Sequence, residues 1–213
     1  MIVVLLGPPG SGKGTQAKRI VSEKKWPHLS TGDMLRAAIK SGSEVGVQAK
    51  KFIDQGMLVP DDLVVNLIGD RMKASDCQDG FVLDGFPRNV PQAVVLDQML
   101  AAQGKSVGRV ILFDMTDESL VKRLSGRRTC SQCASMYHIE TLRSVREGIC
   151  DHCGSSLIQR SDDQVDVIKN RLQVYHQQTE PLIQFYREQM KLVSLDAHQA
   201  AGDVHRSLVR ALG

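Results

Sequence analysis

Apolar residues follow two rhythms along this chain. Short unbroken apolar runs at 2–6, 80–84, 109–114 and 192–196 have the length and branching of strands buried on both faces. Between them lie longer stretches with apolar positions near helical spacing. These predict helices over 16–24, from 32 until Lys40-Ser41-Gly42-Ser43 breaks the pattern, 46–55, 61–72, 91–103, 117–125 and 202–212. A brief extended piece is expected at Leu29-Ser30-Thr31. Val165, Ile168, Leu172, Tyr175, Leu182 and Tyr186 outline one long amphipathic helix, which Pro181 should bend. Strand and helix alternate, so the expected fold is α/β, a parallel sheet wrapped by helices on both faces.

Two segments depart from that alternation. Residues 30–59 read as a small helical excursion, with Asp33 as an N-cap and Arg36 one turn in, near a positive helix end. Asp61-Asp62 would cap the helix that follows. From Cys130 to Cys153 the chain turns polar, with few branched apolar residues. No repeat or low-complexity tract occurs.

Bulk properties narrow the picture. The 213 residues fit one domain with insertions, and 42% hydrophobic content is enough for a core despite only 4% aromatics. A formal charge of +3 and a pI near 8.6 imply neither a nucleic-acid nor a membrane partner. The apolar start lacks a basic leader, and no run approaches the roughly 20 apolar residues of a membrane span. A cytoplasmic protein is expected. Four of the five cysteines form Cys-x-x-Cys pairs, which in a reducing compartment favours metal over disulfides. Cys77, alone, reads as a buried small hydrophobe.

The candidate chemistry begins at Gly7-Pro8-Pro9-Gly10-Ser11-Gly12-Lys13-Gly14-Thr15, between the first strand and the first helix. In that context backbone N–H groups and the helix N-terminus cradle phosphate, and Lys13 supplies a cation for the outer phosphates. Gly14 replaces the usual Ser or Thr, so magnesium must lean on a carboxylate from elsewhere. Asp84, at the C-terminal edge of a buried strand, is the candidate, directly or through water. Arg88, four places on, brings a guanidinium suited to phosphate. Cys130, Cys133, Cys150 and Cys153 can place four thiolates around zinc at about 2.3 Å, a closed and therefore structural site. Redox or disulfide pairs and an iron–sulfur cluster are the alternatives, and His138 and His152 are spare ligands nearby.

Taken together, residues 7–16, Ser30-Thr31-Gly32-Asp33-Met34-Leu35-Arg36, Asp84-Gly85-Phe86-Pro87-Arg88, Arg127-Arg128 and Arg160-Ser161-Asp162-Asp163 resemble, in order and spacing, the bacterial adenylate kinases of the long-lid, zinc-binding type. The resemblance runs from Met1 to about Leu212. Asn89 and Ala134 depart from it, where threonine and glycine are common. It implies a core of 1–29, 60–122 and 161–213, an AMP-binding insert at 30–59 and a mobile zinc-bearing lid at 123–160. It implies ATP contacts from Gly10, Ser11, Gly12, Lys13, Gly14, Thr15, Arg123, Arg127, Met136, Tyr137 and the backbone near Gln199. AMP contacts would come from Thr31, Arg36, Met57, Leu58, Val59, Gly85, Phe86, Pro87, Arg88 and Gln92. Arg160 and Arg171 would bridge the two phosphate chains, and Lys13, Arg88, Arg123, Arg160 and Arg171 would carry catalysis. The implied activity is magnesium-dependent phosphoryl transfer between ATP and AMP, giving two ADP, by a monomer.

The chemistry agrees with the resemblance. An acceptor phosphate is already ionised, so no general base is required, and the chain offers no Ser-His-Asp set. What the reaction needs is two polyanions aligned against their repulsion, with water excluded. Spacing alone does not identify the base, so kinases of UMP, CMP or GMP stay open. A nucleic-acid-dependent ATPase is the distant rival, with the cysteine lobe and Arg127, Arg128, Arg143 and Arg146 as its binding module.

Overall fold

A computed structural model describes residues 1–213. Five parallel strands form the central sheet: β1 Ile2–Leu6, β2 His28–Ser30, β3 Phe81–Asp84, β4 Val107–Asp114 and, last in the chain, β8 Leu192–Asp196, in the order β2-β3-β1-β4-β8. The unbroken apolar runs follow from burial on both faces. On β1, Ile2, Val4 and Leu6 enter one core while Val3 and Leu5 enter the other. The first core is covered by α4 Asp61–Met72, α5 Val90–Ala101 and α8 Pro181–Glu188. The second is covered by α1 Lys13–Lys24, α6 Asp117–Ser125, α7 Val165–Val174 and α9 Ala201–Leu212. Because all strands run the same way, their C-terminal ends share one edge, where Leu6, Ser30 and Asp84 lie close together.

Between β2 and α4 the chain makes α2 Thr31–Ser41 and α3 Glu44–Asp54. Their caps differ from expectation. Ser30, not Asp33, caps α2, its Oγ accepting from the Asp33 backbone N–H at 3.3 Å. Asp33 is thereby left inside the first turn. Asp61 does not cap α4 either; its carboxylate accepts from Asn89 Nδ2 at 3.0 Å and Gln92 Nε2 at 2.7 Å. Asn89 in turn caps α5 through the Gln92 N–H at 2.8 Å, so the asparagine joins two helix starts.

The long helix expected after Asp163 is interrupted earlier than its proline. Tyr175–Thr179 form a π-turn between α7 and α8, with Glu180 N–H donating to Tyr175 O at 2.9 Å. Pro181 has no N–H for the preceding turn, and the change of register N-terminal to it absorbs the loss. Val165, expected on the apolar face, is exposed at the open first turn of α7. Cys77 is buried, with its Sγ 3.2 Å from Arg71 Nη1.

After α6 the chain leaves the main sheet to build a small antiparallel one, β6-β5-β7, from β5 Arg127–Cys130, β6 Met136–His138 and β7 Leu157–Ile158. This lobe has little apolar interior, and Leu142, Val145 and Ile158 are exposed. It meets the α2–α3 excursion through few polar contacts. Lys40 Nζ donates to Ser131 O at 3.3 Å and Gln132 Oε1 at 3.4 Å; just beyond the lobe, Ser161 Oγ donates to Asp54 at 2.7 Å. No helix is long and apolar enough to cross a membrane.

Candidate active site

The loop between β1 and α1 turns through left-handed backbone at its end. Gly12, which precedes α1, has φ 96°, a conformation that L side chains rarely adopt. Lys13, the first residue of α1, folds back so that Nζ donates to Gly7 O at 2.7 Å and Pro8 O at 2.8 Å. Burial pushes its ammonium down to about 8. Asp84 opposes that shift, while Arg88, Arg171 and Arg127 reinforce it.

Asp84 closes β3 beside this loop. A Cβ on Gly14 would stand only 3.3 Å from Asp84 Oδ2, so the carboxylate faces the position where a hydroxyl is missing. His28, at the start of β2, places Nε2 3.3 Å from the same oxygen. Nothing local in the sequence marked that histidine.

Around this edge the structure gathers arginines from widely separated parts of the chain. Arg88 Nε donates to Gly85 O at 2.9 Å, and its pKa falls to about 10, through burial first and then Arg171. Arg127 grips Asp163 with two bonds, Nε at 2.8 Å and Nη2 at 2.6 Å, and Arg171 Nη1 reaches Asp163 at 3.2 Å. Arg160 Nε donates to Thr129 Oγ1 at 2.9 Å. Its pKa also drops to about 10, from burial and then from Arg127 and Arg36. Arg36 pairs with Asp33 at 2.5 Å, and half-buried Arg123 is lowered by burial. Even so lowered, the Arg88 and Arg160 guanidiniums remain charged at neutral pH.

Two carboxylates anchor this ring. Asp163 is wholly buried. Burial pushes Asp162 up, but Arg171, Arg127, Arg36 and Arg160 outweigh it and leave its carboxyl below the usual range. The sequence pattern contained both aspartates without assigning them work. Only the fold shows them turned inward onto arginines.

Two cavities meet at these cations. The larger, about 1090 Å³, is walled by the phosphate loop from Gly10 to Thr15, Asp84, Arg123, Arg127, Met136, Tyr137 and the Gln199 turn. The smaller, about 70 Å³, is walled by Thr31, Leu35, Met57, Leu58, Val59 and Gln92. Arg36, Gly85, Arg88 and Arg171 border both. Pro87 and Arg160 border only the larger. Phe86 borders neither; its ring is fully buried in the first core. Gln92 has its amide engaged on both sides, accepting from Arg88 N–H at 2.7 Å and donating to Asp61.

The sequence model of the adenylate kinase family matches residues 5–191. The chain belongs to the adenylate kinase family. Over its full length it is 50% identical to the adenylate kinase of Lachnospira eligens, covering all of that protein. It is 47% identical to that of Clostridium acetobutylicum, covering 99% of it, and 46% identical to that of Fervidobacterium nodosum, covering 98%.

Within this adenylate kinase chain the small sheet carries the cysteine cluster. The sulfurs of Cys130, Cys133, Cys150 and Cys153 all lie within 4.8 Å of one another. The separations Cys130–Cys153 at 3.3 Å, Cys133–Cys153 at 3.5 Å and Cys133–Cys150 at 3.6 Å are far beyond the about 2.05 Å of a disulfide. The first knuckle turns backbone N–H groups inward, Gln132 at 3.4 Å and Cys133 at 3.5 Å from Cys130 Sγ, and Tyr137 Oη lies 3.5 Å from Cys150 Sγ. Four clustered thiols with supporting donors suit a soft, tetrahedrally bound metal ion. His138 is directed away from them, its Nδ1 accepting from the Glu140 and Thr141 N–H groups at 3.1 and 3.2 Å. Ala134, directly after the second cysteine, takes φ 56°, the left-handed conformation in which glycine is at ease.

Proposed function

We propose that this chain is an ATP:AMP phosphotransferase, interconverting ATP plus AMP with two ADP. The observation that carries this reading is the pair of cavities joined at Arg36, Arg88 and Arg171. ATP occupies the larger cavity, its phosphates on the Gly10–Thr15 backbone and Lys13, under Arg123, Arg127, Met136 and Tyr137. AMP occupies the smaller one between Thr31, Met57–Val59 and Gln92, with its phosphate toward Arg36 and Arg88. The names of the relatives support adenine at both seats.

The reaction follows from alignment and charge. The acceptor phosphate oxygen is already ionised, so no base is invoked. Lys13, Arg88, Arg123, Arg160 and Arg171 offset repulsion between the two phosphate chains and stabilise charge spreading over the transferred group. The buried aspartates fix Arg127 and Arg171 before substrate arrives, so less reorganisation is left for the reaction. The 30–59 and 123–160 segments cover the two seats and exclude water, the competing acceptor.

Asp84 is suited to hold magnesium through water. The ion, when bound with ATP, neutralises oxygens of the outer phosphates. The four cysteines are suited to zinc, which with four sulfur ligands keeps no open position and acts on folding alone. It stands in for the apolar interior that the small sheet lacks. The nucleic-acid reading finds no support.

The deciding experiment measures ADP formation from ATP, magnesium and AMP, with UMP, CMP and GMP as competing acceptors. ADP formed with AMP alone supports the reading. Transfer to another monophosphate reassigns the base, and no transfer at all ends it.

A further inference from the structure

A second polar network, just past the phosphate loop, ties α1 to α9. Gln16, directly after the loop and almost fully buried, donates from Nε2 to Ala201 O at 2.8 Å. Arg19 Nη1 donates to the same carbonyl at 3.1 Å. Because the amide NH₂ is committed to Ala201, the Gln16 oxygen faces His205, whose Nδ1 lies 3.1 Å away. The other ring nitrogen of His205 meets Glu23 at 2.7 Å. Gln16, His198, Gln199, Ala200 and Ala201 wall the larger cavity, whereas His205 reaches neither cavity.

We infer that His205 is a positioning residue for the ATP seat: it locks the Gln16 amide, and Gln16 fixes the spacing between the phosphate loop and the 198–201 wall. The geometry carries this. The two walls come from opposite ends of the chain, and Gln16 and Arg19 reach from one directly onto a backbone carbonyl of the other. Only the larger cavity is touched, because the smaller one is bordered by neither the 198–201 turn nor α1. The role rests on the phosphotransferase reading, and it predicts an effect on one substrate of the two.

The test compares wild type, His205→Leu, His205→Asn and Gln16→Glu in initial-rate assays varying ATP and AMP separately, with melting curves alongside. His205→Leu should raise KM for ATP about fivefold, the factor one neutral hydrogen bond carries, with KM for AMP and kcat within about twofold. His205→Asn, whose amide N–H can stand in for Nδ1, should recover most of that loss. Gln16→Glu gives up the donor to Ala201 and should show the same ATP-selective rise, which keeps the test decisive if His205→Leu folds poorly. Unchanged KM for ATP in both His205→Leu and Gln16→Glu, or equal rises in both KM values, overturns the inference. So does a lower Tm with no ATP-selective change. If the wild type itself fails to make ADP, the parent reading falls; if it turns over normally and the variants are unselective, this inference alone falls.

Discussion

Replacing Asp163 by asparagine is the sharpest perturbation of the arginine ring, because it removes one charge and almost no volume. The Asp163 carboxylate is fully buried and accepts three charge-assisted bonds, two from Arg127 and one from Arg171. With its oxygen at the Oδ1 position an amide keeps the Arg127 Nη2 and Arg171 contacts without the negative charge and turns its NH₂ toward Arg127 Nε, so one bond is lost and two are weakened. At roughly 1.5–3 kcal/mol for the lost bond and about 1 kcal/mol for each weakened one, the loss would reach about 3.5–5 kcal/mol. The arginine side chains retain 17% and 19% exposure, so water recovers part of it and about 3 kcal/mol is expected. For a chain of this size that is a fall in Tm of roughly 6–12 °C by scanning calorimetry. Since Arg127 and Arg171 both border the larger cavity, kcat/KM should drop about tenfold at temperatures where the variant is still folded. A variant that melts within about 2 °C of wild type and turns over normally would refute the idea that this buried charge aligns the ring.

Four further outcomes are expected. Lys13→Ala should cut kcat by orders of magnitude in the coupled assay, since Lys13 is the only side-chain cation of the phosphate loop; near-normal turnover would contradict the site. Chelation, or Cys130→Ser, should lower Tm by more than it lowers initial rates in the cold, and an unchanged melt would speak against a structural metal. Tyr186 Oη is buried without a hydrogen-bond partner, so Tyr186→Phe should leave Tm unchanged or raise it slightly, and a marked loss would reveal a missed partner. His176 is held above its usual 6.5 by Glu180 at 2.8 Å and, against slight burial, by Asp117 at 3.0 Å. The stability it adds is therefore fully present below pH 6.5 and lost as pH rises through the raised folded value. The Tm gap between wild type and His176→Ala should close with rising pH, and a gap that stays flat would remove the pair from the account.

What could be read from the sequence was what depends on neighbours along the chain. The phosphate loop, the strand ending in Asp84 and the cysteine knuckles are each set by spacing within a few residues, and all three appear where the pattern put them. What could not be read depends on partners that only the fold brings together. Asp163 meets Arg127 across 36 positions, His28 meets Asp84 across 56 and His205 meets Gln16 across 189. Helix starts failed for a related reason. Asp33 and Asp61 are good caps in isolation, but Ser30 was better placed for one helix and Asn89 with Gln92 claimed the other aspartate. Phe86 sits among Gly85, Pro87 and Arg88, which border the cavities, and only the packing of the first core reveals that its own ring does not.

The two arms that reach over the sheet edge touch through Lys40 against the first cysteine knuckle, at exposed positions. Links of this kind hold with at most about 1 kcal/mol apiece, so thermal motion parts the arms readily and salt loosens them further. An empty molecule therefore has little reason to stay clasped. On the phosphotransferase reading proposed above, the strong attraction would lie in the phosphates themselves, spread between arginines on both sides, and the cargo would supply the grip that its own container lacks.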